Sequence, residues 1–341
     1  MRTAVVGVGV AGSSHLLDVV TSDGLELVAV CATRLDRATE ACATFGAGAA
    51  YDSVESMFDR EELDAIVIAT PPSVSADILD RSLERGLLVL VEKPAAGDRL
   101  ALERAVAHDA QPLSDRSAGT PRPTGAVVAY NRRYQGHVRR LGELLADSGG
   151  PQATASVECE WRARFRHRYT NGDTYRSCAA FGHGVLLDTF SHVLDTLLLI
   201  GLEPGSIGSA RLHAGCSGAD IEADVTVCLE SGADARIRIQ DAPDEDSWRL
   251  CIRGAEGSLW LTRERLWGLW KGATIREEAS ELRRPVDDLL AMRAGESTLG
   301  APLSDAVRTL ALIDAAREAA RTTRPWRRPR AKALGRLNGA C

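Results

Sequence analysis

Apolar residues fall in short, regular runs through the first 130 positions. Thr3 to Val8, Leu25 to Cys31, Ala65 to Thr70, Leu87 to Val91 and Ala126 to Tyr130 read as strands. Helical periodicity fills the gaps near residues 11 to 21, 36 to 45, 73 to 85 and 98 to 109. Such βαβ alternation calls for a parallel sheet covered on both faces. QPLSDRSAGTPRPTG, residues 111 to 125, is rich in Pro, Ser and Gly and reads as an exposed loop. From about residue 150 the texture changes to longer strand-like runs, TASVECEWRARFRHRY, ADVTVCLE, ARIRIQDA, WRLCIRG and GSLWLT, and a final helix is expected over 303–321. The pattern predicts an α/β chain: an N-terminal βαβ domain with a parallel sheet over 1–125 and a C-terminal α+β domain with a mainly antiparallel sheet over 126–325. The last helix is free to pack back on the first domain, and a basic, solvated tail follows over 326–341.

One helix breaks its own pattern. GHGVLLDTFSHVLDTLLLIG, residues 182 to 201, is apolar on almost every face, yet Asp188, His192 and Asp195 interrupt it at offsets that share one side of a 3.6-residue helix. An unpaired buried charge costs several kcal/mol, on the order of 3–5, so this stripe must meet a partner or a wet cleft. Asp195 reads as structural, capping a neighbouring backbone segment.

Composition narrows the classes. With 341 residues the chain has room for two cores, and its net charge of −6 argues against non-specific nucleic-acid binding. The eight cysteines contain no CxxC pair and read as reduced, mostly buried thiols, which points to the cytoplasm. MRTAVVGVGVAGSS imitates a secretory leader, but Gly7 and Gly9 break its apolar run. No stretch approaches the roughly 18 apolar residues of a membrane span.

The same opening residues carry chemistry. Gly7, Gly9 and Gly12 form a GxGxxG between the first strand and the first helix, with Val10 at its tip. Such glycines allow a tight turn and close backbone approach to a pyrophosphate, and the helix N-terminus offers it free N–H groups. The acidic residue that usually holds a ribose 2′-hydroxyl is missing: its position falls at Ala32, followed by Thr33 and Arg34. A hydroxyl and a guanidinium suit a 2′-phosphate, which favours NADP(H) over NAD(H). The competing reading leaves Arg34 solvated and turns Asp36 back to the ribose.

With ATPPS at 69–73, VEKP at 91–94, YNRRY at 130–134 and DxxxH at 188–192, nearly the whole chain resembles the glucose-fructose oxidoreductase, inositol dehydrogenase and MocA family. The resemblance implies a Rossmann domain followed by an open-faced α/β domain, with substrate between them over a nicotinamide. It implies that Thr70, Pro71, Pro72 and Glu92 line the cofactor, that Lys93 bridges cofactor and substrate hydroxyl, that Pro94 follows a cis bond, and that His192 is the general acid/base. Asp188 would position His192 or the substrate. Removing a hydroxyl proton suits histidine, whose pKa lies nearest neutrality, and a lysine suits a developing alkoxide. The chain departs from the family where His183 interrupts a glycine run and where Ser75 replaces a histidine. No metal site is expected from His183, Asp188 and His192, which lack a tight ligand motif.

Read as one strand, WRARFRHRY puts Arg162, Arg164, Arg166 and Arg168 on one face, suited to a phosphate, nucleotide or carboxylate or simply to solvent. Arg132, Tyr134, Tyr175, Arg176 and His183 are further substrate-contact candidates. Trp260, Trp267 and Trp270 are expected on the open sheet, a face that the family uses for subunit contacts, which implies a homodimer or homotetramer. The expected substrate is a small carbohydrate-like molecule, with no nucleic-acid or membrane partner. Two rival functions share the fold: a lyase or glycosidase using tightly bound cofactor for transient oxidation, and a non-catalytic dinucleotide sensor.

Overall fold

The computed structural model describes residues 1–109, 125–150, 154–170, 184–215 and 217–322. The N-terminal half runs β1 (Arg2–Val6), α1 (Val10–Val20), β2 (Glu26–Cys31), α2 (Leu35–Phe45), β3 (Ala49–Tyr51), α3 (Val54–Arg60), β4 (Ala65–Ile68), α4 (Pro72–Glu84), β5 (Leu88–Glu92), α5 (Arg99–Asp109) and β6 (Gly125–Ala129). Its strands line up β6-β5-β4-β1-β2-β3, all parallel. The expected doubly covered sheet is therefore present, with β3 and α3 as additions. The three residues of β3 are too few to show a period. The loop expected at 111 to 125 lies outside the described residues up to position 124, as does the tail at 326–341.

The second half follows α6 (Gly136–Ala146) with β7 (Thr154–Ala163), α7 (Phe165–Thr170), a π-helical turn (Leu186–Phe190) and α8 (Ser191–Leu199). Strands β8 (Pro204–Ala214), β9 (Asp220–Leu229), β10 (Asp234–Asp241), β11 (Ser247–Gly254), β12 (Gly257–Leu261), β13 (Arg265–Trp270) and β14 (Ala273–Glu278) complete a sheet of order β14-β13-β12-β11-β7-β10-β9-β8. Pairing is antiparallel except between β7 and β10. The chain then returns: α9 (Asp287–Ala294) packs Leu289 into the apolar layer beneath the first sheet, and β15 (Ala301–Pro302) pairs antiparallel with β6. The first sheet thus takes in residues on both sides of the boundary expected at 125. The last helix, α10 (Leu303–Thr322), touches α5 and β6 on one side and β8 and α8 on the other. One continuous core runs from β1 through α8 and α10 to the inner face of the second sheet.

Two expectations are corrected. WRARFRHRY is not one strand: β7 ends at Ala163 and α7 begins at Phe165. Trp161, Phe165 and Tyr169 recur every fourth residue, a spacing that satisfies strand alternation and a helical face alike. All three are buried. The tryptophans also divide. Trp260 and Trp267 stack at 6.3 Å, but Trp270 is buried and donates its indole N–H to Ser148 Oγ at 2.7 Å. Three residues separate Trp267 from Trp270, so the pleat sends them to opposite faces. The outward face around β7 carries charge pairs, Glu158 with Arg253 and Glu160 with Arg249, each at 3.1 Å.

The junction is held by YNRRY. Arg133 is buried and bridges Asp195 of α8 at 2.7 Å and Asp305 of α10 at 2.6 Å. Asp195 is thus structural, as expected, but it meets a guanidinium rather than a backbone segment. Burial raises its pKa to about 6 against the pull of Arg133. Replacing Arg133 with Met strands this carboxylate, and denaturant unfolding should show a loss of about 3–5 kcal/mol. A loss under about 1 kcal/mol, the scale of an exposed pair, would show that the clasp does not hold the junction.

Candidate active site

The loops expected to hold a dinucleotide all emerge from one edge of the parallel sheet, the C-terminal ends of β1, β2, β4 and β5. Such an edge, beside a reversal of strand order, is where open α/β sheets bind ligands. At Gly7 (φ +100°) a Cβ would run into the Ala69 carbonyl, and at Gly12 into the carbonyl of Gly7, so the turn between β1 and α1 closes only on glycine. Above Gly9 the space is open, and α1 starts without a side-chain cap. Free amides facing an open cradle fit a pyrophosphate. Val10 is 93% exposed at the tip.

Thr33 and Arg34 are exposed after β2, and Arg34 already holds Asp36, its Nε donating at 3.0 Å. Thr70 is anchored by Ser75, whose hydroxyl lies 2.9 Å from Thr70 Oγ1 and donates to the Pro71 carbonyl at 3.0 Å. The serine in place of histidine thus ties the ATPP turn to the first turn of α4, where Pro72 is buried. Glu92 receives His15 from α1 at 2.8 Å. His15, three residues past Gly12, escaped the sequence reading because one histidine on an apolar helix resembles core. The Lys93–Pro94 bond is cis.

Across the edge stands the interrupted helix. Its entry is set by Gly184 (φ +105°), where a Cβ would run into the Asp220 carboxylate, and by Asp220 Oδ2 accepting the Leu186 amide at 2.8 Å. Asp188 sits in the π turn and His192 in the first turn of α8. Lys93 Nζ donates to Asp188 Oδ1 at 2.8 Å and reaches its carbonyl at 3.4 Å, while Tyr169 donates its hydroxyl to Asp188 Oδ2 at 2.9 Å. Of the two roles expected for Asp188, positioning His192 or the substrate, the structure shows no hydrogen bond to His192 among the described residues; its carboxylate oxygens accept from Lys93 and Tyr169. Neither Tyr169 nor Asp220 carried a sequence signal, since both act only through the folded arrangement of distant segments.

Lys93, Trp161, Arg168, Asp188, Thr189 and His192 line a cavity of about 230 Å³. Tyr130 meets the His192 ring edge-on at 5.8 Å and Trp161 lies 5.9 Å from it. His192 Nδ1 is buried with no hydrogen-bond partner among the described residues. Burial, reinforced by Lys93 and Arg132 and opposed by Asp188, holds its pKa well below 6.5. Arg132 lies behind this wall rather than in the lining, its guanidinium 3.5 Å from the Trp248 ring centre and 4.6 Å from that of Trp161. Burial pushes it down to about 9. Tyr134 is spent on Asp288 at 2.8 Å, and Arg162 on Glu245 at 3.1 Å and Gln240 at 3.2 Å; neither reaches the cavity. Tyr175, Arg176 and His183 lie outside the described residues.

A glycine phosphate loop, a lysine from the same sheet edge and a desolvated histidine brought over it define a dinucleotide-dependent oxidoreductase. Residues 1–111 match the family model described as "Oxidoreductase family, NAD-binding Rossmann fold". The chain is 31% identical to 4-carboxy-2-hydroxymuconate-6-semialdehyde dehydrogenase of Sphingobium sp. over 136 residues, only 39% of either protein. It is 24% identical to rhizopine catabolism protein MocA of Rhizobium meliloti over 93% of this chain and 94% of that one. UDP-N-acetylglucosamine 3-dehydrogenase of Acidithiobacillus ferrooxidans is 28% identical over 74% of this chain and 71% of its own length. The solved structure of that enzyme matches the fold with a TM-score of 0.72, covering 94% and 97% of the two chains at 23% identity. Over residues 1–111 the chain carries the NAD-binding domain of the glucose-fructose oxidoreductase, inositol dehydrogenase and MocA family, and it is an NAD(P)-dependent oxidoreductase acting on CH–OH groups.

A neutral native His192 has a consequence for pH. Below about 6.5 the unfolded chain binds a proton at this histidine that the native state refuses, so the site withdraws stability as pH falls through that range. The imidazole should titrate below 6.5 by NMR, and Lys93→Met should move its midpoint upward. A wild-type midpoint at or above 6.5 would refute the desolvated environment.

Proposed function

We propose that the protein interconverts a secondary alcohol and a ketone on a sugar, amino-sugar or cyclitol, including phosphorylated or nucleotide-linked forms. It prefers NADP(H), a preference that goes with keto-sugar reduction in biosynthesis. Residues 1–125 hold the cofactor and residues 126–325 the substrate. The observation that carries this reading is the convergence of Lys93 and His192 in one small cavity beside the phosphate-loop edge. The names of the amino-sugar dehydrogenase and MocA relatives support a carbohydrate-like substrate. The stacked Trp260 and Trp267 are assigned to a subunit contact in a homodimer or homotetramer.

When bound, the nicotinamide supplies or takes the hydride. The chain's residues handle charge and proton. In oxidation, neutral His192 takes the hydroxyl proton as the C–H hydride leaves; in reduction, the imidazolium returns it to the carbonyl oxygen. Its depressed pKa makes that imidazolium a ready acid. Lys93 holds its ammonium where negative charge gathers on the oxygen, and Asp188 fixes the ammonium there through Oδ1. Trp161 and Tyr130 pack against the histidine on two sides, and the lower polarity there strengthens both interactions.

His192→Ala should lower turnover by about 100-fold or more, the usual contribution of a general acid/base, with cofactor affinity retained. Unchanged turnover would remove His192 from that role. Net conversion of added NADP(H) with substrate distinguishes this reaction from a lyase or glycosidase, which returns its cofactor unchanged. Arg34 tests the cofactor assignment separately. Arg34→Ala should weaken NADPH by about tenfold or more and NADH far less, in fluorescence titration, since a charge-assisted bond to the 2′-phosphate is lost. Equal losses would assign Arg34 to holding Asp36 alone.

A further inference from the structure

The arginines that alternate from Arg162 to Arg168 meet different fates. Arg162 is bonded to Glu245 and Gln240, and Arg166 to Asp241 through its amide at 2.9 Å and Nε at 3.2 Å. Arg164 is exposed, and neither it, Arg162 nor Arg166 lines the cavity. Arg168 does line it. Its guanidinium lies 5.5 Å from the ring centre of Phe165, which stacks on Tyr169 at 6.2 Å. Tyr169 in turn holds Asp188 at 2.9 Å, so α7 seats both Arg168 and the carboxylate that fixes Lys93.

Among the described residues Arg168 has one ion-pair neighbour, Asp188, and that carboxylate is shared. Its Nη1 stands 3.7 Å from Asp188 Oδ2, beyond hydrogen-bonding distance, because the two Asp188 oxygens already accept from Lys93 and Tyr169. Among the described residues its guanidinium makes no hydrogen bond, and its side chain remains 40% exposed. Among the described residues the cavity wall holds two cations, Lys93 and Arg168, against one carboxylate, Asp188. Arg132 adds positive charge behind Trp161, and its Nη1 has no hydrogen-bond partner among the described residues. The surplus is local, in a chain whose net charge is −6.

We propose that Arg168 binds an anionic group, a carboxylate or a phosphate, carried by the sugar whose alcohol or ketone reacts at Lys93 and His192. The proposal rests on the alcohol–ketone reading above and narrows it to charged sugars. A guanidinium offers a planar pair of N–H donors that matches either oxyanion. A neutral polyol would leave the surplus charge uncompensated in a half-buried cleft, whereas one anionic substituent balances it. The volume of about 230 Å³ lies below the usual range for drug-sized ligands, so the anion belongs on the reacting ring or one bond from it.

The test uses the full chain with NADPH or NADP bound, titrated with D-glucose, D-glucuronate and D-glucose 6-phosphate while nicotinamide fluorescence and net cofactor conversion are followed. The charged sugars should bind at least about tenfold more tightly than glucose, the worth of one charge-assisted bond. That ratio should collapse toward one in Arg168→Gln and persist in Arg164→Gln. Preference for glucuronate alone assigns a carboxylate, and preference for the phosphate alone assigns a phosphate. No charge preference in the wild type, or a preference that survives Arg168→Gln, overturns the proposal. If charged sugars bind through Arg168 and neither they nor glucose drive cofactor conversion, the anion site stands and the alcohol–ketone reading falls.

Discussion

A lysine from one domain must be neutralised by a carboxylate from the other, and the rest of the site follows from that pairing. Lys93 ends its strand among buried neighbours, and its ammonium is satisfied by Asp188 at 2.8 Å, 95 residues along the chain. A half-buried ammonium without a counter-charge is unfavourable, so the pairing ties the approach of the two halves to the charge state of the site. It also consumes Asp188. His192, one turn on, is left with aromatic rings and cations around it, and it stays neutral. The bridge therefore decides two things at once: where the positive charge sits and which protonation state of the histidine awaits substrate.

The scaffold that makes this pairing reproducible is the junction motif at 130–134. Its side chains diverge. Tyr130 walls His192, Arg132 enters the tryptophan stack, Arg133 clasps Asp195 and Asp305, and Tyr134 reaches Asp288 on α9. Asp288 is buried and also accepts the amides of Leu299 and Gly300, so the turn that leads into β15 is fixed by the same carboxylate. Packing against α8, α9 and α10 from one short segment sets the angle at which the helix bearing His192 meets the sheet edge bearing Lys93.

What the sequence disclosed followed from periodicity and from glycine. Parallel strands buried on both faces announce themselves as unbroken apolar runs, and a GxGxxG between strand and helix has few alternative geometries. Asp188 and His192 were legible as a charged stripe on an apolar helix, and Lys93 through the family resemblance carried by VEKP. Pair assignments were not legible. That Asp188 would serve Lys93 rather than His192 depends on the π turn and on Tyr169, and the residues from Trp161 to Tyr169 recur at a spacing that strand and helix share. Asp220 closes the entry to the site helix from 34 residues away. Such contacts are set by tertiary geometry, to which one-dimensional patterns are blind.

Arg132 shows how a cation persists in this interior with no carboxylate partner among the described residues. Its guanidinium faces the ring of Trp248 at 3.5 Å and of Trp161 at 4.6 Å, and the negative faces of two indoles offset part of the desolvation that pushes its pKa down to about 9. A carboxylate in that place would neutralise the arginine more completely, but it would also raise the proton affinity of His192 behind the shared Trp161 wall. Aromatic faces stabilise the cation while leaving its field largely unpaired. Lys93, Arg132 and Arg168 then act on the imidazole together, against Asp188 alone. At about 0.1 M salt exposed charges more than about 10 Å away are largely screened while buried neighbours are not, so the acidic balance of the whole chain does not cancel this field. Charge at the reacting centre is set by these few side chains and by whatever the substrate brings to them.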